Sequence, residues 1–434
     1  MYNQFYLPIV SPLGPPLPLV KKSRILDLQK QLLIKCIGLY PEGHQIVDNH
    51  MMDRETGEVF DLYNDTTSGN AKWWGGHVPI WTTLTHQGYK VGLHHWSRCD
   101  VEFKIEGRPV WPKKCDPYSD HTNEGEVGNG YTDNLQVLKD ALDQSVLDLV
   151  NDELDVSFVY YPTIDTKGHR YGPEGQELRE EIQGVDLLLY GFLLNLQSHN
   201  LAAKTNVIIV ADHGMTANKN FLHKSLSDHM SQETVDNIEK IVAGNNIILK
   251  DPTKVNEAVA DLETWDELKV FKKGELPAYY GLKKAQYVED VIILPKAKVI
   301  WGVDNTNPDK YEPPAGPSDD TEEAQQQGGN HGYEDITNGY GSEGGNPDMR
   351  SIFMAIGPSF KVNREHEWIK QVDEYQVMKY ALKVENGPAH NGTWDRVKCM
   401  FQDVDYGEGN TGNGVTLMSP LMPLVVVLGA TIWN

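Results

Sequence analysis

Two apolar periodicities alternate along this chain. Residues 156–161 (VSFVYY) and 206–210 (NVIIV) are short, β-branched and nearly without polar positions, which predicts strands buried on both faces. Elsewhere the period lengthens to that of a helix. Leu135, Leu138, Leu142, Val146 and Leu149 share one face of a helix predicted over 133–152, and QELREEIQGVDLLLYGFLLNLQS predicts another over 176–198. PIWTTLTHQG (79–88) reads as a helix closed by glycine, and 89–94 as a strand. Strands are expected at 246–249, 268–271, 291–294 and 349–356, with a helix over 375–382. Strand, helix, strand with crossovers of this length predicts an α/β protein whose parallel sheet carries helices on both faces. Residues 222–300 read as an inserted or edge subdomain.

Both ends break this pattern. Residues 1–35 form an atypical leading segment: SPLGPPLPLV precedes Lys21 and Lys22, the reverse of a secretory leader, and 1–24 predict no strand. A short amphipathic helix is expected at 25–37. One domain is expected over 36–400, interrupted at 304–347 by a polar, glycine-rich loop. The tail, 401–434, ends in an uncharged apolar stretch too short and too broken by proline to span a membrane. Its small residues at 412–414, spacer and apolar end resemble a lipid-anchor signal, a possible membrane anchor; a stray core segment is the alternative.

Composition narrows the partners. A formal charge of −23 argues against a nucleic acid polymer or an anionic membrane surface. A small anionic substrate stays compatible if bound metal inverts the local field. The four cysteines, 36, 99, 115 and 399, are too few for a disulfide scaffold. Cys99 and Cys115 bracket one segment, where a bridge and two thiols are both open. Asn64-Asp-Thr66 and Asn391-Gly-Thr393 fit the N-glycosylation pattern and lean toward secretion.

Chemistry-bearing residues gather just past the predicted strands. In TNVIIVADHGM (205–215), Asp212 and His213 follow a buried strand at the end where open α/β sheets bind ligands. An N-cap aspartate beside an exposed histidine is the competing reading of that pair. The arrangement recurs, however: PTIDTKGHRYGP follows VSFVYY and holds Asp165 and His169. A third element, Gly329-Asn330-His331-Gly332-Tyr333, places a histidine between glycines in the polar loop. Carboxylate oxygen with imidazole nitrogen is a donor set that suits zinc. Five donors exceed one catalytic zinc, so two zinc ions are expected, the arrangement that stabilises entering and leaving oxygens in displacement at phosphorus.

IDTKGHRYGP, ADHGM and GNHGY, in this order and spacing, resemble the nucleotide pyrophosphatase/phosphodiesterase family of the alkaline phosphatase superfamily. GLYPEGHQIVDN and PDMRSIFMAIGPSF are similar to it as well, so the resemblance runs from about 38 to about 394. It implies an alkaline-phosphatase-like α/β/α sandwich with a largely parallel central sheet. It also implies hydrolysis of a small-molecule phosphodiester or pyrophosphate, nucleotide or choline-ester in type, at the cell surface or outside the cell. Asp165, His169 and His331 would hold one zinc and Asp212 and His213 the other. Asn49 would donate to a phosphate oxygen. Tyr160 and Trp96 fall on the family's substrate pocket, although core packing would explain both aromatics.

The resemblance fails in the leading segment. Leu28 stands where the family has its threonine nucleophile, no Thr precedes Thr56, and Asp27 is the only carboxylate before Glu42. The family's first strand, with the aspartate that ends it, is not recognisable. As written, the second zinc site is incomplete and turnover should be impaired. The abrupt change of character near Cys36 has the look of a join that replaced a leader, first strand and nucleophile loop. The alternative is an inactive extracellular binding ectodomain of the same fold.

Overall fold

A computed structural model describes residues 20–23, 36–62, 64–74, 77–117, 135–217, 222–225, 230–242, 246–295, 299–302, 328–330, 347–384, 386–402 and 424–429. Its centre is an eight-stranded sheet. The strands are β1 (Val20–Ser23), β2 (Val91–His94), β3 (Lys114–Cys115), β4 (Val156–Tyr161), β5 (Asn206–Ala211), and from the later chain Ile352–Ile356, His366–Lys370 and Leu424–Gly429. The two strands with the plainest sequence pattern, β4 and β5, lie near the middle and are buried at every position.

The helices cover both faces. Over one face lie α1 (Ile80–His86) and a late helix, Val372–Ala381; over the other lie α2 (Leu135–Val150) and a long helix, Gln176–Ser198. Alternation along the strands sorts the core accordingly. Phe158, Tyr160, Ile208 and Val210 pack with Trp81, Leu84, Val377 and Met378 in one cluster. Val159, Tyr161, Val207, Ile209 and Ala211 pack with Leu142, Val146, Phe192 and Leu196 in the other. The expected three-layer α/β/α sandwich is therefore present. Only one strand of the large sheet, Ile352–Ile356, runs against the rest.

Between β4 and β5 the chain forms α3 (Thr163–Tyr171) and then α4, the 176–198 helix. After β5 comes a two-residue strand, β6 (Thr216–Ala217), and then a separate four-stranded antiparallel sheet. That sheet consists of β7 (Ile238–Val242), β8 (Asn246–Leu249), β9 (Leu268–Lys272) and β10 (Val291–Pro295), with α5 (Val255–Glu263) packed on it through Ala258, Val259 and Leu262. It falls within 222–300, the span expected as an inserted or edge subdomain. The remaining elements are β11 (Gly329–Asn330), β12 (Ile352–Ile356), β13 (His366–Lys370), α6 (Val372–Ala381) and β14 (Leu424–Gly429).

Two findings depart from the expectations at the chain's flanks. Val20–Ser23, in a segment that predicts no strand, pairs with β12 on one side and β13 on the other. The stretch with the look of an anchor contributes β14, which lies between β4 and β5 and parallel to both. The expected helix at 25–37 lies almost wholly outside the described residues. Cys99 and Cys115 form a disulfide with Cα atoms 5.7 Å apart, and Cys36 and Cys399 take no part in a disulfide among the described residues.

Candidate metal centre

The site forms at the carboxyl ends of β4 and β5. After Ala211 the chain turns sharply, leaving Asp212 and His213 buried at the carboxyl end of this central strand. Gly214 permits the turn for a steric reason. A Cβ there would lie 2.1 Å from the Asp348 carbonyl oxygen and 2.6 Å from that of Arg350, so only glycine can approach this loop. Its own N–H donates to the Met349 carbonyl at 2.9 Å.

On the neighbouring side, α3 starts directly after Pro162. Asp165 occupies its first turn and His169 and Arg170 its last, an arrangement that the helix dipole favours, and Gly172 ends it at φ +74°. The helix places Asp165 and His169 one turn apart on the same face. The glycine between them, Gly168, also has a packing role. Its carbonyl would lie 2.7 Å from a Cβ at position 329, as would the Met215 sulfur. Gly329 thus lets β11 lie against α3, while β11 pairs with β6 (Thr216 opposite Asn330). His331 follows Asn330 directly and lies outside the described residues.

The described donors converge at a distinctive spacing. His169 Nε2 lies 3.6 Å from Asp165 Oδ1, His213 Nε2 lies 3.7 Å from that same oxygen, and His213 Nε2 lies 3.8 Å from Asp212 Oδ2. These separations are too long for direct hydrogen bonds. They are close to the roughly 3.3–3.6 Å edge of a tetrahedron whose zinc–ligand bonds are about 2.0–2.2 Å. The other imidazole nitrogens are already engaged: His169 Nδ1 with the Gly329 carbonyl at 3.1 Å and His213 Nδ1 with the Gly214 carbonyl at 2.9 Å. A carbonyl only accepts, so each Nδ1 carries the proton and each Nε2 faces the carboxylates. That is the orientation in which histidines bind metal. Among the described residues no group of three or more donors is close enough to hold a metal ion outright. The residues present fit a metal in donor type, direction and approximate spacing, with the set still open.

Two supporting interactions escaped the sequence reading. Gln371, buried ahead of α6, donates through Nε2 to the Asp212 carbonyl oxygen, and Asp212 Oδ1 accepts from the His213 N–H at 3.0 Å. Beneath α3, Glu181 of α4 accepts from the Tyr161 hydroxyl and, at 2.6 Å, from Lys167. No local pattern marks either residue, because both contacts join segments distant in sequence.

The other sequence candidates lie on the bend before His50 and in the core. Asn49 sits on the bend entering the His50–Met52 strand, where its Oδ1 is buried with no hydrogen-bond partner among the described residues. Its neighbour Asp48 accepts from Asn246 at 2.8 Å, which ties this bend to the inserted sheet. Trp96 and Tyr160 are 1% and 2% exposed and meet edge to face at 6.5 Å within the first core cluster. Leu28 lies outside the described residues.

Similarity to known proteins extends over most of the chain. The family model for type I phosphodiesterase/nucleotide pyrophosphatase matches residues 38–334. The chain is similar to the bis(5'-adenosyl)-triphosphatase of Xenopus laevis, at 25% identity over 84% of this chain and 70% of that protein. It is also similar to the venom phosphodiesterase of Naja atra, at 30% identity over 85% of this chain but only 40% of that protein. Among solved structures, human ectonucleotide pyrophosphatase/phosphodiesterase 5 superimposes with a TM-score of 0.69 at 23% identity, covering 88% of this chain and 90% of that one. An inactive variant of the murine protein in complex with AMP gives 0.67 at 22% identity, covering 89% and 92%. At these identities the structures establish a shared fold.

Proposed function

The chain belongs to the type I phosphodiesterase/nucleotide pyrophosphatase family, hydrolases of phosphodiester and pyrophosphate bonds, and on that premise we propose a zinc-dependent site for nucleotide-type substrates at the ends of β4 and β5. The observation that carries this reading is the convergence of His169 Nε2 and His213 Nε2 on the carboxylates, with both Nδ1 atoms held by carbonyls. Asp165 and His169, joined by His331, are assigned to one zinc, and Asp212 and His213 to the other. Zinc bound there would supply Lewis acidity and neutralise phosphate charge, which a protein of net charge −23 needs in order to admit an anion.

The chain's own residues set the geometry. Gln371 and the His213 amide hold the Asp212 segment, Glu181 and Lys167 hold α3, and the Asn49 amide is assigned to a phosphate oxygen. The bis(5'-adenosyl)-triphosphatase relative and the AMP-bound murine structure favour nucleotides over choline esters. The Cys99–Cys115 bridge and the venom relative support a location outside the cell or at its surface. Leu28 at the nucleophile position supports a second feature: binding outlasts turnover. In the limit, the protein is a nucleotide-binding ectodomain.

The test is calorimetric. Full-length protein freed of metal is titrated with zinc and then with AMP, and hydrolysis of a chromogenic nitrophenyl phosphodiester is followed in parallel. Zinc at 100 times its Kd should stabilise the parent by about 2.7 kcal/mol. Asp165→Asn and His213→Ala should each lose most of that shift. Zinc binding with AMP affinity but no product selects the binding ectodomain. A melting temperature indifferent to zinc in the parent refutes the site.

A further inference from the structure

We propose that the gap between β4 and β5 is a strand-acceptor slot, that Leu424–Gly429 of the same chain fills it, and that this strand forms the floor of the candidate metal centre. The inference concerns how the site is built and stands independently of whether the site turns over.

The pairing is continuous on both sides. Val425 to Gly429 face Ser157 to Tyr161 on β4 and Val207 to Ala211 on β5, with Leu424 opposite Val156 and Asn206 and no shift in register. β4 and β5 do not pair with each other. On its other edge β4 pairs with β2 through 156–159, and β5 pairs with β12 through 207–210. Without β14, the facing edges of two strands buried at every position would therefore leave their backbone N–H and C=O groups without ladder partners in the core. β1, the described strand from the first 35 residues, joins the sheet elsewhere, between β12 and β13.

The composition of 424–429 suits the slot. LVVVLG has no charge, is β-branched at three positions and matches the uncharged runs beside it. β4 and β5, the strands on either side of this position, each contribute residues to both hydrophobic clusters. A membrane-facing role would remove these same residues from the sheet.

The link to the site follows from register. Gly429 is level with Tyr161 and Ala211, the last strand residues before Pro162 and Asp212. β4 and β5 are two strand spacings apart, about 9–10 Å. The 3.7 Å approach of His213 Nε2 to Asp165 Oδ1 accordingly reaches across the end of β14. The separation of the two donor pairs is thus set by a strand from the far end of the described chain.

Hydrogen exchange on the unaltered full-length protein tests this, read by mass spectrometry on peptides covering 424–429 and 206–211. The expected result is slowing of both segments by a similar factor, roughly 10⁴-fold or more over a free peptide. Exchange of 424–429 within about tenfold of the free-peptide rate, with 206–211 still protected, would overturn the proposal. Protection found only in a dimeric fraction would assign the slot to a second copy and overturn the intramolecular reading. As a second measurement, a protease site is inserted within 403–423 of the full chain and cut after folding. The fragment should co-elute with the body and keep its protection. Its release without loss of protection at 206–211 would show that the slot needs no such strand.

Discussion

Replacing Glu181 tests whether the helix that carries Asp165 and His169 is anchored from below. The Glu181 side chain is 4% exposed and joins three elements: the Tyr161 hydroxyl at the end of β4, Lys167 on α3 at 2.6 Å, and its own helix α4. In Glu181→Ala the tyrosine loses this acceptor and the ammonium loses its counter-charge. Breaking a buried pair from one side costs about 3–5 kcal/mol. The Lys167 side chain is 34% exposed, however, so water restores part of its solvation and about 2–4 kcal/mol is expected. Glu181→Gln keeps an acceptor for Tyr161 and loses only the charge, about 1–2 kcal/mol. An unfolding entropy near 2.1 cal/mol/K per residue over 434 residues gives about 0.9 kcal/mol per degree. The alanine variant should then melt roughly 2–4 °C below the parent and the glutamine variant roughly 1–2 °C below. Scanning calorimetry is run with chelator and with saturating zinc. Lys167 lies between Asp165 and His169, so the zinc-induced rise should also shrink in the alanine variant, a loss that general destabilisation would not cause. An alanine variant melting within about 0.5 °C of the parent under both conditions would refute the anchoring role.

Two further perturbations act away from the site. Burial pushes the Glu289 carboxyl up to about 7 from its ordinary 4.5; Arg54 and Lys273 oppose the rise and Asp290 adds to it. Below pH 4.5 the group is protonated in both folded and unfolded states; between 4.5 and about 7 only the unfolded chain has released its proton, so this group's contribution to stability falls as pH rises and levels off above 7. Glu289→Gln should therefore gain about 2–3 kcal/mol on the parent between pH 4.5 and 8 in urea titrations, and a constant difference would sink the assignment. Opening the Cys99–Cys115 bridge, whose cysteines are 16 residues apart, should cost about 3 kcal/mol. The Cys99→Ser/Cys115→Ser variant should melt roughly 3 °C lower and, unlike the parent, show no response to reductant.

Much of the fold was legible because it is encoded locally. The runs at 156–161 and 246–249 and the helix over 176–198 have in the structure the bounds that their periodicity predicts, and within 133–152 the described helix is Leu135–Val150. Asp165 and His169 were found as a spaced pair, but the helix that aligns them was not. TIDTKGHRY has mid-segment glycine and little apolar periodicity, and packing against β11 and α4 fixes it instead. Asp212 and His213 could be read because a buried strand stops just before them. Gln371 and Glu181 could not, since each acts on a segment that only the folded topology brings near.

The two ends are ambiguous in sequence for one physical reason. An uncharged β-branched run carries the same local information whether it enters a bilayer, a lipid-anchor signal or the middle of a sheet, and only its partners distinguish these fates. For 424–429 the partners are 156–161 and 206–211, more than 200 residues away in sequence. β1 presents the same problem in a weaker form: VKKS is polar at three of its four positions, yet its backbone pairs with both β12 and β13, one strand in from the sheet's rim. A sheet position buried on both faces selects for absence of charge, and a position near the rim tolerates it. The uncharged tail therefore belongs at the centre and the basic leading strand toward the rim. That order is the one the structure shows.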